Sequence, residues 1–158
     1  MIVLGIDPGY DRLGVALIRK EKGQRETVLF SDCVLTNKSD TFPVRLLAAG
    51  TAVEGLITKW SPTHMSLEKL FVTKNQKTAM AVSEVRGMLI YIATKHGMPL
   101  VEFTPQQVKL AVTGYGGATK KQLEEMLPRI LTLPHTPKYD DEYDALGISL
   151  TGAVSIRE

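Results

Sequence analysis

The 158-residue chain is 44% apolar and 23% charged, with a formal net charge of +2. That balance excludes a disordered or low-complexity protein, and a charge so small does not by itself mark a nucleic-acid binder, so any basic surface must come from arrangement. Cys33 is the single cysteine, which excludes an intramolecular disulfide and a cysteine-based zinc site. No apolar run is long enough to span a membrane, and the start lacks a basic-then-apolar signal pattern. The expectation is one cytoplasmic domain over residues 1–158 with no membrane association.

Ile2-Val3-Leu4-Gly5-Ile6 is a short β-branched run that ends on Asp7 and is stopped by Pro8-Gly9, the pattern of a buried strand with a carboxylate at its end. Gly14–Ile18 reads as a second strand. Thr27–Phe30 with Cys33–Leu35 reads as a third, bent at Ser31-Asp32. Hairpin spacing between them predicts an antiparallel meander.

After a polar break at Ser39–Pro43, Leu46, Gly50, Val53, Ile57 and Trp60 recur at helical spacing, and Ser61-Pro62 ends that helix. His64–Val72 reads as a strand carrying Glu68, and Thr73–Lys77 as a basic loop. Ala79, Val82, Val85, Met88, Leu89, Ile92 and Ala93 predict a long helix stopped by Gly97, with Lys95 and His96 at its C-terminal end. Leu100–Phe103 is another strand.

Thr104 and Thr119 are placed to cap two further helices, with Pro105 at the first position of the earlier one. Pro128 is expected to kink or end the second. Tyr139–Asp144 opens a last helix with its acids in the first turn. Strands first, then alternating helices and strands, then helices describe an α/β chain with a mixed sheet.

Three acidic places stand out. Asp7 lies at a strand end, Glu68 on a later strand, and Asp141 and Asp144 three apart on one helix face. Asp140 competes with Asp141, being four residues from Asp144. Carboxylates from separate core elements repel one another unless cations lie between them, and hard oxygen donors favour Mg²⁺ or Mn²⁺ over zinc. Such a set suits two-metal phosphodiester hydrolysis. The plainer alternatives are an Asp7 that serves its own turn, a solvent-facing Glu68 and a pair of helix-dipole aspartates.

A second group is basic: Lys74, Lys77, Lys109, Lys120 and Lys121 lie near element boundaries, interleaved with Gly114, Gly116 and Gly117. Lysines neutralise phosphates, and glycine lets a backbone approach one closely. Phe71 could stack on an unpaired base or belong to the core.

Four segments together resemble the RuvC-type Holliday junction resolvases, crossover junction endodeoxyribonucleases of the RNase H-like superfamily. They are Gly5–Gly9; Leu67–Asn75 with Arg86-Gly87; Phe103–Lys109 running to Thr113–Gly116 and Lys120–Gln122; and Asp141–Leu146. The resemblance implies an RNase H-like fold with a mixed five-stranded sheet, an antiparallel N-terminal meander plus parallel strands, flanked by helices. It implies that Asp7, Glu68, Asp141 and Asp144 are the catalytic, metal-binding acids, with two Mg²⁺ per active site for which Mn²⁺ substitutes. It places Phe71, Lys74, Lys109, Tyr115, Lys120 and Lys121 among the DNA contacts. It further implies a homodimer, contacting through the long helix from about Thr78 to Lys95, that acts on four-way junction DNA beside a RuvAB-type branch-migration complex.

The chain departs from that pattern at Gly116-Gly117-Ala118, which lacks a cation, at Pro128, and at Thr151-Gly152, where a histidine is usual. Tyr10–Val15 is also similar to the RuvX/YqgF branch, so a nuclease acting on RNA is the first alternative. A non-catalytic junction-binding protein is the second.

Overall fold

The computed structural model describes residues 1–69 and 76–157. The chain forms β1 (Ile2–Asp7), β2 (Arg12–Arg19), β3 (Thr27–Leu35), α1 (Phe42–Trp60), β4 (His64–Glu68), α2 (Gln76–Lys95), β5 (Leu100–Phe103), α3 (Pro105–Thr113), α4 (Lys120–Ile130) and α5 (Asp140–Ser155). One sheet runs β3-β2-β1-β4-β5. The first three strands pair antiparallel as the meander, while β4 pairs parallel with both β1 and β5. The irregularity of β3 falls at Leu29, between the pairs Leu17–Phe30 and Ile18–Val28, and not at Ser31-Asp32.

Alternation along the strands divides the core in two. Leu4, Ile6, Val15, Leu17, Met65 and Leu67 face α1 and α2, where they meet Val53, Ile57, Val85 and Leu89. Val3, Ala16, Ile18 and Phe103 face α3, α4 and α5, against Val108, Leu127, Leu146 and Ile148. Leu4, Ile6, Leu17 and Leu67 are fully buried, and each contributes about 1.5–3 kcal/mol of hydrophobic stabilisation. That core holds the C-terminal ends of β1 and β4 rigid, which is what a strand-end carboxylate needs to be placed accurately.

α5 is buried on nearly all sides between Ala145 and Ala153. It packs on β1 and β2 with one face and takes α3 and α4 on the other, which accounts for its lack of a polar face. Close approach depends on missing side chains. A Cβ on Gly5 would lie 2.4 Å from the Ser149 nitrogen, and one on Gly152 2.2 Å from Ser66 Oγ. Ser149 Oγ also donates to the Val3 carbonyl at 2.9 Å.

Thr104 and Thr119 each accept from the backbone N–H three residues on, with Gln107 and Gln122 returning the bond. These capping boxes are the expected helix starts. Pro128 does not end the helix, because α4 runs past it to Ile130. The missing N–H falls in the last turn, where little ladder remains to lose, and the Leu131 N–H still reaches the Leu127 carbonyl at 2.9 Å. Trp60 packs against Phe30 with ring centroids 6.4 Å apart, as a helix-end packing residue.

Candidate active site

Asp7 ends β1, the middle strand, and Glu68 ends the neighbouring β4. Their register pairs Ile6 with Leu67, so one step further sets Asp7 beside Glu68. Ile6 and Leu67 face α1 and α2. By alternation both acids face the opposite side, toward α5. Asp7 also pairs with Gly14 of β2. A Cβ on Gly14 would lie 1.9 Å from the Asp141 carbonyl oxygen, so this glycine lets the first turn of α5 rest on the strand beside Asp7.

The electrostatics show the same convergence. Burial, then the charges of Asp144, Glu68 and Asp141, push the Asp7 carboxyl up from the usual range to about 8. Burial and then Asp144 raise Glu68, while Lys120, Lys109 and Arg86 pull it back. Burial raises Asp144 and Asp141 as well, opposed by Lys120 at the first and chiefly by backbone hydrogen bonding and Arg12 at the second. Four carboxylates from three elements therefore act on one another across a single cleft.

Cations border that cleft. Lys120 Nζ, at the start of α4, lies 2.7 Å from Asp144 Oδ2 and 3.0 Å from Asp140 Oδ2. Burial disfavours its charge, but the hydrogen bonds to Asp144 and Asp140 overcome that and raise its pKa. Arg12 Nε lies 2.8 Å from Asp141 Oδ2, and its Nη2 3.5 Å from Asp140 Oδ1. Asp140 is half exposed and held at the rim by these two cations.

The donor set fits hard divalent cations, since every candidate ligand is a carboxylate oxygen. Asp141 Oδ2 is buried without an aligned hydrogen bond, and its one close charged neighbour is Arg12 Nε at 2.8 Å. As placed, no three His, Cys, Asp or Glu side chains among the described residues are close enough to enclose one. The cleft gathers the acids without closing them into a cage.

Other expected residues are distributed unevenly. Lys109, on α3, is close enough to pull down Glu68 and Asp144. Tyr115 is exposed in the α3–α4 connection, and the exposed Lys121 lies 3.9 Å from Glu125 on its own helix. A Cβ on Gly117 would lie 2.6 Å from the phenol of the exposed Tyr115, which can swing aside. Phe71 and Lys74 lie outside the described residues.

The sequence assigns no role to two residues that brace the site. Arg86 of α2 is buried and donates both to the Glu68 carbonyl and to the Glu102 carboxylate, so it ties the ends of β4 and β5 together. A charged residue on the otherwise apolar inner face of that helix was the available signal. Arg12 stands one turn past Pro8-Gly9, and nothing in its local sequence marks it.

The family model described as Crossover junction endodeoxyribonuclease RuvC matches residues 3–152. The protein of that name from Brevibacillus brevis is 44% identical over 153 residues, covering 97% of this chain and 92% of the relative. Its counterpart from Leifsonia xyli is 38% identical over 151 residues, covering 96% and 73%. Among solved structures, Thermus thermophilus RuvC in complex with a Holliday junction substrate superimposes with a TM-score of 0.89 at 29% identity, covering 97% of this chain and 93% of that one. Fowlpox virus resolvase, at 13% identity and a TM-score of 0.64, shares the fold. A five-stranded mixed sheet with an RNase H-like arrangement, matched from end to end in sequence and structure, places this chain in the RuvC family of crossover junction endodeoxyribonucleases.

Proposed function

We propose that this protein is a structure-selective DNA endonuclease that resolves Holliday junctions by paired symmetric nicks in recombination and repair. The observation that carries the reading is the convergence of Asp7 and Glu68, at adjacent strand ends, on the first turn of α5, in a chain of this family. Asp7, Glu68, Asp141 and Asp144 would hold two divalent cations, Mg²⁺ with Mn²⁺ as a substitute. When bound, these supply activation of water and stabilisation of the leaving 3′ oxygen.

Asp7 would be the central ligand, because its strand is central and the other three charges all act on it. Glu68 orients the attacking water, and Asp141 and Asp144 complete the set. Lys109 and Lys120 neutralise the scissile phosphate and its neighbour. Phe71, Lys74, Tyr115 and Lys121 contact the DNA around the crossover, with Phe71 stacked on an exposed base.

The active form is a homodimer, in which two sites meet the two equivalent strands of a two-fold junction. Support comes from exposed apolar side chains on α1 and α2, namely Leu47, Met80, Ile90 and Tyr91, of which Leu47 and Tyr91 line an apolar groove of about 360 Å³. The chain works as one nuclease domain in the cytoplasm beside a RuvAB-type branch-migration complex. No helix among the described residues is long and apolar enough to cross a membrane.

The test is cleavage of a synthetic four-way junction in Mg²⁺ by wild type and Asp7→Asn. The variant binds the junction and does not cut it. Equal cutting by both overturns the metal site, and equal affinity for junction and linear duplex overturns the selectivity. Phe71→Ala binds but resolves poorly, and unchanged resolution returns Phe71 to the core.

A further inference from the structure

Glu142 stands between two candidate ligands, yet it takes no part in their cleft. It is 2% exposed. Helical geometry turns it about 100° from Asp141 and roughly 160° from Asp144, toward the far side of α5. There its Oε1 accepts from Ser31 Oγ of β3 at 2.7 Å and lies 2.8 Å from His135 Nε2, in the loop before the helix. One oxygen of a buried carboxylate thus joins an outer strand of the sheet, the preceding loop and the helix.

The first turn of α5 needs such a tie. Tyr139, its N-cap, makes no side-chain cap hydrogen bond, whereas α3 and α4 each open with a complete capping box. A turn without a cap frays more readily. The same end of the helix carries Asp141 and, just past the first turn, Asp144, set toward the Asp7 and Glu68 carboxyls, where ionisation of the whole set is mutually unfavourable. Glu142 is at the third helical position, where Gln107 and Gln122 reach back to their own caps. It reaches the sheet and the loop instead.

We propose that Ser31, His135 and Glu142 form a clamp that positions the first turn of α5, and through it Asp141 and Asp144, for binding divalent cations. The proposal rests on the reading of those acids as ligands. The three are positioning residues and touch neither substrate nor cation. Outer partners that orient ligands change metal affinity more than they change substrate binding.

The test uses the full chain with His135→Ala, Ser31→Ala, Glu142→Ala and Glu142→Gln. Mn²⁺ affinity is measured by calorimetry, the Mg²⁺ needed for half-maximal junction cleavage by titration, and junction affinity in the absence of metal. His135 is half exposed, so its truncation leaves no core cavity. His135→Ala and Ser31→Ala weaken Mn²⁺ binding about tenfold and raise the Mg²⁺ requirement in parallel. Metal-free junction affinity is unchanged. Glu142→Gln, which keeps an oxygen for both donors, recovers metal affinity that Glu142→Ala loses.

Wild-type Mn²⁺ affinity in both His135→Ala and Ser31→Ala overturns the clamp. So does a lowered melting temperature in both with no change in metal affinity. A wild-type protein that neither binds Mn²⁺ nor cuts the junction overturns the acid-site reading itself, a result distinct from failure of the clamp alone.

Discussion

Gly14 and Asp141 meet backbone to backbone: a Cβ on the glycine would lie 1.9 Å from the aspartate carbonyl oxygen. The contact is a tertiary one between β2 and the start of α5. Gly14→Ala must therefore push α5 off the sheet, carrying Asp141 and Asp144 with it. Overpacking of this kind costs about 1–3 kcal/mol. The expected result is a lower melting temperature together with a loss of junction cleavage larger than instability explains. Gly55→Ala, on α1 with nothing within 4 Å of the added Cβ, is the control and raises stability by roughly 0.5–1 kcal/mol.

Asp7→Asn separates function from stability. The folded protein holds the Asp7 proton up to about pH 8, whereas an unfolded chain releases it near 3.8. Folded protein then binds more protons between those values, so stability of the metal-free protein falls as pH rises through this window and levels off above it. Asn removes the charge and with it the loss. Chemical denaturation without metal finds the variant more stable than wild type at pH 8, by on the order of a few kcal/mol, and equal to it at pH 4. A Mg²⁺ titration narrows the gap by stabilising the wild type alone. Equal stability at both pH values contradicts the buried-charge account.

Lys120 bridges Asp140 and Asp144, and it is the main influence lowering the Asp144 pKa. In Lys120→Ala the protonated form of Asp144 is favoured, so the acid limb of the pH–rate profile for cleavage moves to higher pH. At neutral pH the rate drops roughly tenfold or more. Junction affinity at moderate salt falls only slightly, because one half-exposed lysine is a small share of the phosphate contacts. An unmoved acid limb separates Lys120 from the chemistry.

Arg86 holds the Glu68 carbonyl and the Glu102 carboxylate together from inside α2. Arg86→Ala leaves Glu102, about a third exposed, without its partner, and denaturant unfolding should show a loss of about 1–3 kcal/mol. Arg86→Lys does not restore both contacts, since an ammonium lacks the fork that spans them. Full rescue by lysine would show that charge alone matters there.

Much of this protein is legible in its residues. The capping threonines, the proline and glycine breaks and the two hydrophobic periods mark nearly every element, because those signals act within a few residues of chain. Pro128 misleads for the same reason: its local penalty is real, but packing of Leu123 and Leu127 into the core carries α4 past it. The candidate acids are visible as types at positions, and Asp7 at a strand end before Pro8-Gly9 is the clearest.

Convergence was decided elsewhere. Spacing leaves Asp140 and Asp141 as equals, and resemblance alone prefers the second. In the fold, Arg12 reaches both, at 2.8 Å from Asp141 and 3.5 Å from Asp140, but Asp140 is half exposed and paired with Lys120, while Asp141 acts on Asp7. That difference in setting follows from where Gly14 lets α5 rest, from the strand order that puts β4 beside β1, and from ion pairs linking residues more than a hundred positions apart. Local sequence determines which segments are strands and helices, because propensity and capping are short-range forces. Which carboxylates share one cleft depends on long-range packing, and only the assembled sheet with α5 laid across it sets that.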